Sequence, residues 1–372
     1  MKIGVPREIK SREYRVGMIP ETVRELTSRG HDVVVETGCG AATGFPDADY
    51  EAAGAELVDT PEAVFEQAEL IVKVKEPQES EARLLREGQT LFTFLHLAPD
   101  PDQARWLVDS GATCLAYETV TDDDGGLPLL APMSEVAGRV AMQAGAHHLE
   151  KTQGGLGVLL GGVTGVEPAR VVVIGGGTVG ANAAQIAVGM GADVTIFDRS
   201  LPRLNELNGF FRGRARCLYS TSGKLDEAVV SADMVVGAVL IPGAATPKLV
   251  SRDQVRRMIA GSVLVDVAID QGGCFETSRP TTHDEPTFRV DDVIHYCVAN
   301  MPSAAARTAT IALNNATLPF ILALAQKGVD KALADDPNFR AGLNVHRGRI
   351  THPAVAEDLG YDYVAPEEFF DK

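Results

Sequence analysis

Gly175, Gly177 and Gly180 form a G-x-G-x-x-G cluster that follows the strand formers Val171 to Ile174 and opens a stretch of small helix-forming residues. In such a cluster the first glycine permits a tight turn, the second lets a pyrophosphate approach the backbone, and the third lets helix and strand pack closely. The unpaired N–H groups at the helix start can then hold phosphate. Asp198 ends a second strand-like run, eighteen residues after Gly180. A carboxylate there accepts hydrogen bonds from adenosine ribose hydroxyls and repels a 2′-phosphate, which favours NAD over NADP. Arg199 and Arg203 lie close enough to weaken that preference. A bare glycine cluster also marks ordinary strand-to-helix turns, but here the strand before, the helix after and the acid beyond agree on a dinucleotide.

A second set of chemically capable residues lies far upstream. Lys75 follows the apolar run LIVKV directly, His96 follows TLFTFL, and Arg15 sits in the turn region SREYRVGMIP after the first strand. In open α/β sheets ligands bind beyond the carboxyl ends of the strands, so these three are expected at one rim. Together they would cradle a small anion, and the histidine could pass protons near neutral pH. Asp270, just past VLVDVA, and Asn300, at the end of HYCVAN, fall on the corresponding rim of the dinucleotide unit. Each has a plainer alternative: Lys75 as a solvated strand end pairing with Glu76, His96 as a satisfied core histidine, Asp270 as an ordinary turn acid.

The elements that must position these residues alternate along the chain. Strands are expected at Ile3–Val5, His31–Val35, Leu70–Val74, Thr90–Leu95 and Thr113–Ala116. Helices are expected at Pro20–Arg29, from Thr60-Pro61-Glu62, and around Gln103–Asp109, and this alternation predicts a parallel α/β sheet. After the polar turn at residues 122–126 a long helix starting at Ser134 and Glu135 leads to about Lys151. A glycine-rich loop at residues 152–168 follows; it lacks the Lys-Ser/Thr of a nucleoside-triphosphate loop. Strands at Ala215–Tyr219, Asp233–Val239, Ser262–Val267 and His295–Asn300 complete a Rossmann-like domain. From Ala304 a long apolar helix, with a kink expected at Pro319, leads into a helical tail that returns to the first domain. The division is therefore residues 1–129 plus 307–372 against 130–306.

Composition sets limits. The 372 residues suffice for two domains, and the net charge of −17 argues against nucleic acid or an anionic membrane as partner. The opening MKIGVPREIK has no apolar signal region, and no run of eighteen uninterrupted apolar residues occurs, so a cytoplasmic protein without a membrane partner is expected. Five cysteines without a C-x-x-C pair read as reduced core residues, and eight histidines without H-x-x-x-H spacing give no reason to expect a metal site.

The blocks GVPREIKSREYRVGMIP, VKVKEP, LFTFLHLA, LAPMSEVAGRVAMQAGA, VVVIGGGTVG, VDVAIDQGGC and YCVANMPSAAARTAT together resemble the alanine dehydrogenase family over essentially the whole chain. The resemblance implies two Rossmann-like, doubly wound α/β domains with an inter-domain active-site cleft. It also implies interconversion of L-alanine with pyruvate and ammonium using NAD, and a homohexamer. Carried over by position, Arg15 matches the family's substrate-carboxylate arginine, Lys75 its substrate-binding lysine, His96 the acid/base and Asp270 the acidic partner in proton transfer. On the cofactor side the implied set is Ser134, Gly175, Gly177, Thr178, Val179, Gly180, Asp198, Arg203, Ser220, Val239, Leu240, Asn300 and Met301. The NAD-binding component of transhydrogenase shares this fold without amino-acid chemistry, and the cationic trio argues against it. A saccharopine-type dehydrogenase would need a larger pocket, and an NAD sensor would need no proton shuttle.

Overall fold

The structure, a computed structural model, describes residues 1–239 and 246–370. The chain divides into two compact units, Met1–Met133 with Ala306–Lys372, and Ser134–Ala305. In the first unit β1 (Lys2–Val5), β2 (Asp32–Glu36), β3 (Glu56–Val58), β4 (Leu70–Val72), β5 (Thr90–Thr93) and β6 (Thr113–Ala116) run parallel in the order β6-β5-β4-β1-β2-β3. Helices cover the faces, which is why β4, β5 and β6 are buried at every position. The helix starts follow their local chemistry: Thr60 accepts from the Ala63 N–H with Pro61 at the first helical position, and Asp100 does the same for Gln103 ahead of Pro101.

The second unit contains β7 (Arg170–Ile174), β8 (Asp193–Asp198), β9 (Ala215–Tyr219), β10 (Met234–Gly237), β11 (Val263–Asp266), β12 (Thr287–Val290) and β13 (Val293–Tyr296), in the order β12-β13-β11-β10-β7-β8-β9. Without β12 this is the dinucleotide-fold order, with its reversal point between β10 and β7. The chain then returns to the first unit through the helix Ala306–Lys327, β14 (Leu343–His346) and β15 (Arg349–Ile350).

The sheets are mixed rather than purely parallel. β12 is antiparallel to β13, β14 to β6, and β15 to β14. The two hairpins turn on Asp291-Asp292 and Arg347-Gly348, all four residues with positive φ, the backbone that two-residue hairpins demand. Neither pair carries the Asn-Gly or Asp-Gly signature, so β12, β14 and β15 were hidden and the tail is not simply helical.

Other boundaries also move. The helix expected from Ser134 begins at Ala131, because Pro132 fits a first turn where its missing N–H costs nothing. The helix Ala306–Lys327 continues through Pro319. Among the described residues it is the one helix long and apolar enough to cross a membrane. Its buried side includes Thr310, Asn314 and Thr317, and Thr310 and Asn314 accept from the backbone N–H groups of Val16 and Ile19. Its buried apolar residues, Leu313, Ile321 and Leu324 among them, belong to the core of the first unit. All five cysteines are free thiols, and four of them are buried.

Candidate active site

In the second unit the glycine cluster sits where β7 ends and the helix Thr178–Gly189 begins. Gly175 has φ +99°, and a Cβ there would lie 2.6 Å from the Ala238 carbonyl oxygen. A Cβ on Gly180 would overlap the Gly175 carbonyl oxygen, whereas one on Gly177 would meet nothing within 4 Å. The turn, the packing contact and the open approach thus fall on the first, third and second glycines respectively. The helix has Gly177 as its N-cap with no side-chain cap, which leaves its first N–H groups for an anion. Asp198 closes the loop from the side, accepting from the Gly176 N–H at 2.7 Å and the Ser200 N–H at 2.8 Å. These features fit a dinucleotide: a phosphate at the helix start and a ribose beside the carboxylate.

Arg203 is drawn into the same loop, donating from Nε to the Gly176 carbonyl at 2.7 Å and from Nη1 to Glu206 at 2.7 Å. Val239 packs at the glycine turn, its Cγ2 3.0 Å from where a Gly175 Cβ would stand. Thr178 and Val179 form the first turn of the helix, and the Ser220 N–H donates to the Asp198 carbonyl at 2.9 Å. Asp270 is exposed on the one-turn helix Val267–Gln271 beyond β11. The strand expected to reach Asn300 stops at Tyr296; Asn300 sits in a turn with φ +61°, and Met301 is buried. Ser134 is half-buried within the helix Ala131–His148. Leu240 lies outside the described residues.

In the first unit Arg15, Lys75 and His96 all follow strands at the C-terminal edge of the sheet, and a network of carboxylates organises them. β4 stops two residues short of expectation because the Val74 N–H goes to Glu8 Oε1 at 2.6 Å instead of to a ladder partner. The Lys75 N–H is 3.4 Å from the other Glu8 oxygen, and its carbonyl accepts from the Thr93 hydroxyl at 2.9 Å. Burial works to raise the Glu76 carboxyl, but the Lys75 and Lys10 charges outweigh it and hold the group below the ordinary range. β5 likewise stops at Thr93, because the N–H groups of Leu95 and His96 are taken by the Glu118 carboxylate at 3.2 and 2.5 Å. His96 is no core histidine: its side chain is 46% exposed, its backbone has φ +49°, and its ring stacks on Phe94 at 5.7 Å.

Arg15 departs from the simplest expectation. It is 2% exposed, and one edge of its guanidinium is held by Glu13, Nε to Oε1 at 2.7 Å and Nη2 to Oε2 at 2.5 Å. Nη1 points the other way, 3.0 Å from the Met133 sulfur.

Beneath this edge Lys73, fully buried, pairs with Glu8 at 3.2 Å and Glu81 at 2.6 Å. Burial alone would depress the ammonium, but the two carboxylates raise it above its ordinary value; burial in turn raises Glu8 despite Lys73. Glu8, Glu13, Lys73 and Glu118 escaped the sequence reading. For Glu118 a signal existed: it follows β6 as His96 follows β5, and the rule that singled out Lys75 and His96 reaches it too. A separate cavity of about 380 Å³, lined by Arg170, Thr195, Arg216 and Ser231 among others, opens on the face of the second unit's sheet, away from the glycine loop.

Two Rossmann-like units, one with a glycine loop and carboxylate that fit a dinucleotide and the other with Arg15, Lys75 and His96 past its strand ends, define a two-domain α/β protein of the Rossmann-type class. Comparison narrows this. Residues 4–137 match the family profile described as "Alanine dehydrogenase/PNT, N-terminal domain" and residues 141–353 its C-terminal counterpart. The alanine dehydrogenase of Halomonas elongata is 62% identical over 364 residues, covering 98% of each chain. A solved L-alanine dehydrogenase superposes with a TM-score of 0.94 at 50% identity, covering 97% of this chain and 99% of that one. A transhydrogenase from Sinorhizobium meliloti superposes at 0.82 with 24% identity, covering 95% and 100%, which shows a shared fold. The chain belongs to the alanine dehydrogenase/PNT family.

Proposed function

We propose that this chain is an NAD-dependent L-alanine dehydrogenase, catalysing L-alanine + NAD⁺ + H₂O → pyruvate + NH₄⁺ + NADH + H⁺ and the reverse reductive amination. The observation that carries the reading is the Arg15, Lys75 and His96 edge of the first unit, in a chain 62% identical to an alanine dehydrogenase along nearly its whole length. A module that only bound a nucleotide would have no use for a carboxylate cradle beside a proton carrier.

Arg15 holds the substrate carboxylate, with Glu13 fixing the plane of the guanidinium. Lys75 fixes the carboxylate or keto oxygen and draws electron density from the reacting carbon. Gly175, Gly177, Gly180, Asp198 and the helix start would hold NAD, which when bound would supply the hydride acceptor in deamination and, in its reduced form, the donor in amination. Loss of hydride from Cα leaves an imine, to which water adds; the carbinolamine collapses to pyruvate and ammonium. His96 removes and returns the protons of these steps, and Asp270 orients water and amine. A cytoplasmic homohexamer is the assembly that goes with this reading, and light scattering measures it.

A panel of amino acids assayed for NADH and NADPH formation tests the reaction, the substrate and the Asp198 preference together. L-alanine with NAD should dominate; no alanine-dependent NADH would move the chain to the transhydrogenase-like reading. H96A should lose about 10²- to 10⁴-fold in turnover while NADH binding persists. Unchanged turnover in that variant would sink the assignment of His96.

A further inference from the structure

We propose that Glu118 is a positioning residue for His96: its carboxylate fixes the backbone that carries the ring and faces Nδ1, leaving Nε2 as the nitrogen that exchanges protons. The proposal rests on the reading of His96 as the acid/base. Glu118 sits on the one-turn helix Tyr117–Thr119 that follows β6, with its side chain 13% exposed. Oε1 accepts from the His96 N–H at 2.5 Å and lies 3.6 Å from His96 Nδ1, while both oxygens are 3.2 Å from the Leu95 nitrogen.

The backbone held in this way needs holding. His96 has φ +49°, a conformation a non-glycine residue adopts at a cost, and two amide-to-carboxylate bonds offset that cost. Phe94 supplies the second constraint, lying parallel to the imidazole with 4° between the planes. Stacking sets the plane of the ring, and Glu118 sets its rotation within that plane. With an acid facing Nδ1, the tautomer carrying its proton on Nδ1 is favoured, which leaves the lone pair on Nε2. At 3.6 Å the ring contact is longer than a hydrogen bond, and such contacts tighten when substrate binds.

The support for Glu118 is itself rigid. Tyr117, fully buried, donates to the Lys73 carbonyl at 2.9 Å and packs edge-on against Phe92 and Phe94. On its other side Asn344 of β14 donates to the Thr119 hydroxyl at 2.8 Å. A carboxylate serving only to end β5 would need neither the ring beside it nor this bracing.

The test compares E118Q, which keeps an oxygen acceptor for the amides and loses the charge, with H96Q and the double variant. If Glu118 acts through His96, E118Q lowers kcat about 10- to 100-fold, leaves KM for pyruvate and the NADH dissociation constant within about twofold, and adds nothing in the H96Q background. Wild-type kcat in E118Q with an impaired H96Q overturns the positioning role and spares the reading of His96. A parallel fall in kcat, NADH binding and melting temperature in E118Q also overturns it, marking the carboxylate as a strut. Wild-type kcat in H96Q removes the acid/base reading and this inference with it.

Discussion

Gly180 shows how much one missing methyl group decides. Its helix approaches β7 so closely that a Cβ would overlap the Gly175 carbonyl oxygen, which belongs to backbone and cannot swing aside. G180A should push the helix start away from the strand, weaken NADH binding about tenfold or more, and cost roughly 1–3 kcal/mol of stability. Fluorescence titration and denaturant unfolding measure the two effects, and unaltered NADH affinity would count against the assigned role. The three glycine roles were legible in the sequence because each is a local backbone requirement. The capture of Arg15 by Glu13 was not, since nothing in the sequence REYR says that these two side chains pair.

At the scale of elements, the strand ends carry the candidate site, and buried carboxylates determine where they stop. Glu8 takes the amide that would have prolonged β4, and Glu118 takes those beyond β5. Lys73, on the last residue before that break, neutralises Glu8 and Glu81 where no water can. Removing the cation alone leaves two buried acids uncompensated, so K73M should destabilise the protein by about 3–5 kcal/mol. Adding E8Q and E81Q should recover much of that loss, since the amides keep the hydrogen bonds. Equal unfolding midpoints for wild type and K73M would contradict this account. Strand existence was readable from apolar runs; the end of β4 depended on a partner 66 positions away in the chain.

On the scale of the whole molecule, the tail completes the first unit. β14 pairs with β6, and its His346 is buried with Nδ1 3.0 Å from the Thr113 hydroxyl, capped by the rings of Phe369 and Phe370. Burial, aided by the Arg347 charge and opposed by Asp330, pushes this imidazole down to about 4. The unfolded chain takes up the proton near pH 6.5, so the folded state binds fewer protons between the two values. His346 thus contributes stability that is complete above about pH 6.5 and is lost as the pH falls toward 4, up to about 3 kcal/mol. The melting temperature of wild type should drop more steeply over that window than that of H346Q. Parallel curves would remove His346 from the explanation.

The sequence by itself determined the kinds of element, the fingerprint with its acid, and the cationic residues past the strand ends, because periodicity, capping and turn chemistry act between residues a few positions apart. Only the tertiary structure decided that the tail adds β14 and β15, that Glu13 occupies one edge of Arg15, and that Glu8 and Glu118 hold the backbones of Lys75 and His96. Those are choices of partner between buried charges and unpaired amides distant in the chain. Residue type can state that such groups need partners; packing alone assigns them.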